Sequence, residues 1–146
     1  MSLPKKTPVG RTRDAGWQIG ARRTFNVRIE DAWNWLTSSE GARAWLGEPQ
    51  NLSFIKGEEY FLVDGSQGEV RVFKPNSHLR ITYQPGYWPR ASTIQVRVLD
   101  RKERTSIVFH EENLPNAEAR QERRQHYFRA LDIAGEWVKA RSGGEK

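Results

Sequence analysis

The stretch WQIGARRTFNV, Trp17–Val27, followed at once by IEDAWNWL, Ile29–Leu36, decides the fold. Trp17, Ile19, Ala21, Phe25 and Val27 alternate with Gln18, Gly20, Arg22, Thr24 and Asn26, the period of a half-buried strand. Arg23 is the one intruder on the apolar side. Ile29, Ala32, Trp33 and Leu36 then fall at helical spacing, so the chain leaves a strand directly for a short amphipathic helix. Thr37-Ser38-Ser39-Glu40 matches the capping-box pattern and predicts a second short helix through Trp45. Gly47 ends that helix in a left-handed conformation, with Pro49 blocking continuation.

Downstream, apolar alternation is punctuated by turn chemistry. Strands are predicted over Leu52–Ile55, Glu59–Asp64, Glu69–Lys74, His78–Gln84, Ser92–Asp100 and Arg104–Glu111. Such short connections favour an antiparallel meander. Val70/Val72, Leu79/Ile81/Tyr83, Ile94/Val96/Val98 and Ile107/Phe109 define its inner face. Asn116 is placed to cap a last helix running to about Arg141, with Tyr127, Leu131, Ala134 and Val138 as its stripe, widened by Ala130 and Trp137. About 25 helical residues span roughly 37 Å, enough to cross the sheet. A lone helix on a twisted sheet leaves a hollow between the layers, which points to a small-molecule-binding shell. Upstream, residues 1–15 read as a flexible lead-in, 16–141 as one domain and 142–146 as a disordered end.

The net charge of +6 is concentrated at the start, where Lys5, Lys6, Arg11, Arg13, Arg22 and Arg23 face only Asp14. The remainder is nearly balanced, so the sequence predicts a basic tail and first strand without a charged face on the domain. No specific nucleic-acid binding is expected. The absence of cysteine excludes disulfides and thiolate chemistry. No signal-like or membrane-spanning run occurs, and the expectation is a soluble cytoplasmic protein without membrane insertion. His78, His110 and His126 lack metal-ligand spacing and read as surface histidines; no metal or other cofactor is implied. There is no phosphate-cradling glycine loop and no nucleophile elbow.

The order strand, two helices, six strands, long helix resembles the helix-grip fold of the START-like SRPBCC superfamily. With Ala32-Trp33, Trp45-Leu46-Gly47, Gly68-Glu69-Val70, Leu79-Arg80-Ile81-Thr82-Tyr83 and His110-Glu111-Glu112-Asn113-Leu114-Pro115 in that order, the chain resembles, within it, the branch named after the activator of heat-shock protein 90 ATPase homologues. The residues that carry the resemblance begin with Ala32-Trp33, Leu36-Thr37 and Trp45-Leu46-Gly47. They continue through Gly65, Gly68-Glu69-Val70, Leu79-Arg80-Ile81-Thr82-Tyr83 with Pro85, and Thr105-Ser106-Ile107. His110-Glu111-Glu112-Asn113-Leu114-Pro115, leading into Ala117-Glu118-Ala119-Arg120, is similar to bacterial members. Tyr127 stands where a tryptophan is common, and the first helix lacks the usual Ser-Pro start. The resemblance implies an α+β domain with a curved antiparallel sheet of about six to seven strands. It also implies a cavity between sheet and long helix, but no single activity, since its members include lipid and polyketide binders, cyclases and stress-response proteins. The eukaryotic co-chaperones of this branch carry a further N-terminal domain, which is not expected within these 146 residues.

Trp33, Trp45, Tyr83, Phe109 and Tyr127 are predicted to face the hollow, Trp33 mainly as packing. In the loop Gln84–Arg90, Trp88 either gates a pocket or packs the loop down. Glu111 continues the inward row of Ile107 and Phe109, and Arg124 is read as continuing the helical stripe towards it. The two would form an ion pair at one end of the hollow. Trp45, Tyr83, Trp88, Phe109, Glu111, Arg124, Tyr127 and Leu131 are therefore the candidate ligand-binding residues, for a hydrophobic or amphipathic small molecule. Two alternatives stand beside this. One is a cyclase-like enzyme with Glu111 as its acid or base. The other is a protein-interaction module such as a chaperone cofactor, which predicts an exposed apolar patch and a filled interior. The sequence does not set the oligomeric state.

Overall fold

The computed structural model describes residues 11–12 and 16–144. Apart from Arg11 and Thr12, the expected lead-in lies outside the described residues, as do the last two residues of the expected disordered end. The elements are β1 (Arg11–Thr12), β2 (Gly16–Phe25), α1 (Ile29–Leu36), α2 (Ser39–Trp45), β3 (Pro49–Asn51), β4 (Glu59–Leu62), β5 (Gln67–Lys74), β6 (His78–Tyr83), β7 (Ser92–Asp100), β8 (Thr105–Leu114) and α3 (Ala117–Gly144). The strands form one antiparallel sheet in the order β1-β2-β8-β7-β6-β5-β4-β3, eight strands with the two-residue β1 and seven without it. This is a helix-grip architecture, with α3 against the inner face of the curved sheet. None of the helices is long and apolar enough to cross a membrane among the described residues.

Local chemistry explains most boundaries. Ser38, rather than Thr37, caps α2: its hydroxyl accepts from the Gly41 N–H at 3.1 Å, while the Thr37 hydroxyl donates back to Trp33 O at 2.9 Å and closes α1. The cap is thus displaced by one residue, and with Gly41 in the third helical position the reciprocal half of the expected box is lost. Gly47 ends α2 at φ +151°, a positive value that favours glycine, and its N–H reaches Ala42 O at 3.0 Å. The Asn116 side chain accepts from the Ala119 N–H at 2.8 Å, as expected of a cap, and α3 continues past Arg141 to Gly144.

The strand expected over Leu52–Ile55 is absent, and the edge strand lies earlier, at Pro49–Asn51. Phe54 takes φ +46°, which breaks alternation and stacks its ring on Trp45 and Phe73. A register shift between Val70 and Val72 separates two residues expected on one face: Val70 pairs with Ile81, whereas Val72 pairs with outward Arg80 and Phe73 takes the inner position opposite Leu79. β8 overruns its expected end by three residues, pairing Leu114 with Trp17. Arg23 meets Asp132 of α3 at 2.8 Å, which accounts for a cation on the apolar side of β2.

Between sheet and α3, where the sequence predicts a hollow, rings pack against one another: Trp45 stacks on Phe109 at 6.1 Å and Phe109 on Tyr127 at 5.0 Å. One further expectation is corrected. The domain also carries a charged face, because the register gathers Arg22, Lys74, Arg80 and Arg97 on the outer side of the sheet.

Candidate functional site

The site is set by two periodicities meeting. Alternation along β8 turns Ile107, Phe109 and Glu111 inward, and Glu111 is paired in register with Ile19 on one side and Ile94 on the other. Along α3, a spacing of four carries Ala119, Arg123, Tyr127 and Leu131 towards the sheet, all of them buried. The partner of Glu111 is therefore Arg123. Arg124 lies on the exposed side of α3, over the Phe128 ring at 4.8 Å. The expected pair was misassigned by one residue, because a step of three back from Tyr127 was taken where the helix uses four.

Glu111 is 0 % exposed, yet its carboxylate has three donors. Arg123 Nε donates to Oε1 at 2.7 Å, Tyr127 Oη to the same oxygen at 2.6 Å, and Ser92 Oγ to Oε2 at 2.5 Å. Arg123 Nη2 closes the triangle onto Tyr127 Oη at 3.1 Å. Ser92 and Arg123 were not among the sequence candidates. Ser92 carries the same inward parity as Ile94, Val96 and Val98, and that was the signal available for it.

The guanidinium of Arg123 lies between two rings, 4.5 Å from the Tyr83 centroid and 5.0 Å from that of Tyr127. Burial works against its charge, but Tyr127 and Glu111 outweigh it, so its pKa is raised and it stays protonated. Burial likewise pushes the hydroxyls of Tyr127, Tyr83 and Tyr60 up, keeping them neutral donors. Among the described residues Arg123 Nη1 has no protein partner.

Above this cluster sits Trp88. Its ring meets Tyr83 edge-on at 5.6 Å and 90°, and its backbone is fastened by Gln84 Nε2 donating to Trp88 O at 3.0 Å and by its own N–H donating to Pro85 O at 3.1 Å. Trp88 is 6 % exposed and neighbouring Tyr87 76 %. Below, Trp45 donates its indole N–H to Leu36 O at 2.8 Å, and Leu131 is buried one turn along α3 from Tyr127. Trp45, Phe109, Tyr127 and Leu131 thus belong to the packed layer, whereas Tyr83, Trp88 and Arg123 are the slightly exposed groups around the fully buried Glu111.

His126, expected at the surface, is half-buried and donates from Nε2 to Trp45 O at 2.5 Å. Burial first, and then the charge of Arg123, lowers its pKa to about 4. No group of three or more His, Asp or Glu able to hold a metal ion occurs among the described residues. Among the clefts at the described surface are four of about 220 to 350 Å³. One, of about 350 Å³, is lined by Arg124 and Phe128. Chemically, the cluster can donate hydrogen bonds to a polar group and hold it in register, while all of the Glu111 oxygens are already engaged.

The family described as Activator of Hsp90 ATPase homolog 1-like protein matches residues 26–133, well over half of the chain. Among solved structures, CalU16 from Micromonospora echinospora is similar, with a TM-score of 0.75 and 20% identity over 88% of this chain and 81% of that one. The Aha1 dimer from Colwellia psychrerythraea gives 0.69 and 16% over 83% and 95%. PFC0360w, an HSP90 activator from Plasmodium falciparum, gives 0.59 and 19% over 68% and 75%. These likenesses concern the fold. A search of curated proteins returns no match. With the match running from the end of β2 into α3, and a long helix lying on a curved sheet, the chain belongs to the Activator of Hsp90 ATPase homolog 1-like family of helix-grip SRPBCC proteins.

Proposed function

We propose that the protein binds an amphipathic small molecule between the sheet and α3, its polar group meeting Arg123 and its apolar body displacing rings of the packed layer. The observation that carries this reading is the Glu111–Arg123 ion pair, with Glu111 fully and Arg123 almost fully buried in a largely apolar interior. An apolar pair of similar volume would serve stability as well or better, so a retained buried ion pair supports a role in orientation. Its free Nη1 donor, next to rings that can supply apolar contact, matches the usual make-up of a ligand site. Trp88 covers the approach, and swinging it off Tyr83 opens the path to Arg123. The pair is neutral as a unit, so it suits an uncharged acceptor such as a carbonyl better than a second anion. A cytoplasmic setting is part of this proposal.

The test is thermal unfolding against lipids, polyketides and aromatic metabolites. A ligand at about a hundred times its dissociation constant adds roughly 2.7 kcal/mol of stability. One chemical class should give a saturable rise in Tm that Trp88→Ala weakens. No rise across the library would sink the reading. Turnover of a bound compound, lost in Glu111→Gln with binding retained, would instead mark a cyclase-like enzyme.

A second reading, a cofactor of heat-shock protein 90, is supported by the filled interior, by the exposed side chains of Phe61, Val63 and Tyr87, and by the likeness to the Plasmodium activator. Co-purification with heat-shock protein 90, lost in Phe61→Ser/Val63→Ser, would select it.

A further inference from the structure

The outer face of the sheet carries a feature unrelated to the buried cluster. Lys74 is paired in register with His78, His78 with Arg97, Arg97 with Val108, and Val108 with Arg22. One straight row thus crosses five strands, from β5 to β2, over about 19 Å at the usual strand spacing. Its three permanent cations stand about 10 Å apart, two strand spacings with one strand between each. Arg80 reinforces it from the next row, leaning on Gln95 Oε1 at 2.9 Å. Among the described residues, none of these four cations forms an ion pair. The nearest carboxylates of the face are marginal. Glu112 lies four residues along β8 from Val108, about 13 Å away, and Glu69 is already paired with Arg71 at 3.4 Å. His78 reports the same field: burial first, then Arg97, Lys74 and Arg80, hold its pKa below the ordinary value.

We infer that this face docks an acidic polypeptide segment, with Arg22, Lys74 and Arg97 each meeting a carboxylate. Unpaired like charges held in one row repel one another and stay favourable only when an anionic partner arrives, which also steers its approach. Arginine forks suit carboxylates bidentately. Carboxylates seven residues apart on an acidic helix repeat every 10.5 Å or so, close to the spacing of the row. Single-stranded nucleic acid would need rings to stack its bases. The two central rows offer no Trp, Tyr or Phe ring, only the imidazoles of His78 and His110 beside Val72, Gln95 and Val108, and the His110 ring is held by Gln18 at 3.0 Å. The inference stands independently of the ligand reading, because no residue of the row touches the Glu111 cluster.

The experiment is fluorescence anisotropy with the full chain and two labelled probes, a poly-glutamate peptide and an oligothymidine of equal charge. The peptide should bind in a salt-dependent manner, and more tightly than the oligothymidine. Arg22→Gln/Lys74→Gln/Arg97→Gln should weaken it by about tenfold. Lys56→Gln/Arg104→Gln/Lys139→Gln, which removes the same charge from other exposed positions, should change it by less than about twofold. Equal losses in the two variants, tighter binding of the oligothymidine, or no peptide binding would each overturn the inference. The comparison of probes uses the unmodified protein and is unaffected by how the variants fold.

Discussion

Replacing Arg123 by leucine tests the buried cluster most sharply. Arg123 is 7 % exposed and supplies Glu111 with both a countercharge and an Nε hydrogen bond, besides bonding Tyr127. Its loss strands a carboxylate that no water reaches. Breaking one side of a buried pair costs about 3–5 kcal/mol, because the remaining charge must be buried alone or take up a proton. At roughly 2–4 °C per kcal/mol for a domain of this size, Tm falls by about 6–20 °C. The double variant Glu111→Leu/Arg123→Leu removes the orphaned charge and leaves only the Tyr127 hydroxyl without its acceptor, since Ser92 Oγ still reaches Tyr83 O at 3.2 Å. It should therefore recover at least about 2 kcal/mol relative to the sum of the single variants. Arg124→Leu, one residue along but on the exposed side of α3, should stay within about 0.5 kcal/mol of the parent. Urea denaturation of the four proteins, with the slopes compared, measures all of this. Equal losses for Arg123→Leu and Arg124→Leu, or strict additivity in the double variant, would refute the reasoning.

Acid should destabilise the fold through His126: its pKa is about 4 when folded against about 6.5 unfolded, so the unfolded chain binds the proton first as pH falls. Its contribution is complete above pH 6.5 or so and is lost progressively towards pH 4, by at most about 3 kcal/mol. His126→Gln should flatten that part of a stability–pH curve, and an unchanged slope would contradict the assignment. Gly41→Ala should lower Tm markedly, since its Cβ would lie 1.8 Å from Trp35 O, whereas Gly86→Ala meets nothing within 4 Å and should leave Tm unchanged or slightly higher. Trp33→Ala should cost about 3–5 kcal/mol by denaturant unfolding, given a buried ring set 5.6 Å from Phe73. An equally stable variant would contradict that burial.

Much of the architecture was legible because alternation and helical spacing record burial directly. β2, β6, β7 and α3 bury the residues their periods select, and Asn116 caps as its chemistry dictates. Legibility failed where one residue departs from period. Phe54, at positive φ, replaces an expected strand with a turn that aims a ring inward, and the register shift after Val70 reverses the parity of Val72. The candidate site was half legible. Glu111 follows from β8 alternation, but choosing between Arg123 and Arg124 needed the exact phase of a helix whose stripe drifts between steps of three and four. The charged outer face was invisible to any count along the chain. Arg22, Lys74 and Arg97 are far apart in sequence and meet only through strand register.

The most direct test of the ligand reading is a ¹H–¹⁵N NMR titration with the compound class that raises Tm, following the Trp88 indole N–H and the Arg123 Nε–H. Both signals should move saturably, with the same dissociation constant as the thermal shift. Perturbations confined to the outer face of the sheet, or to the exposed residues around Phe61 and Tyr87, with Trp88 and Arg123 unmoved, would contradict it.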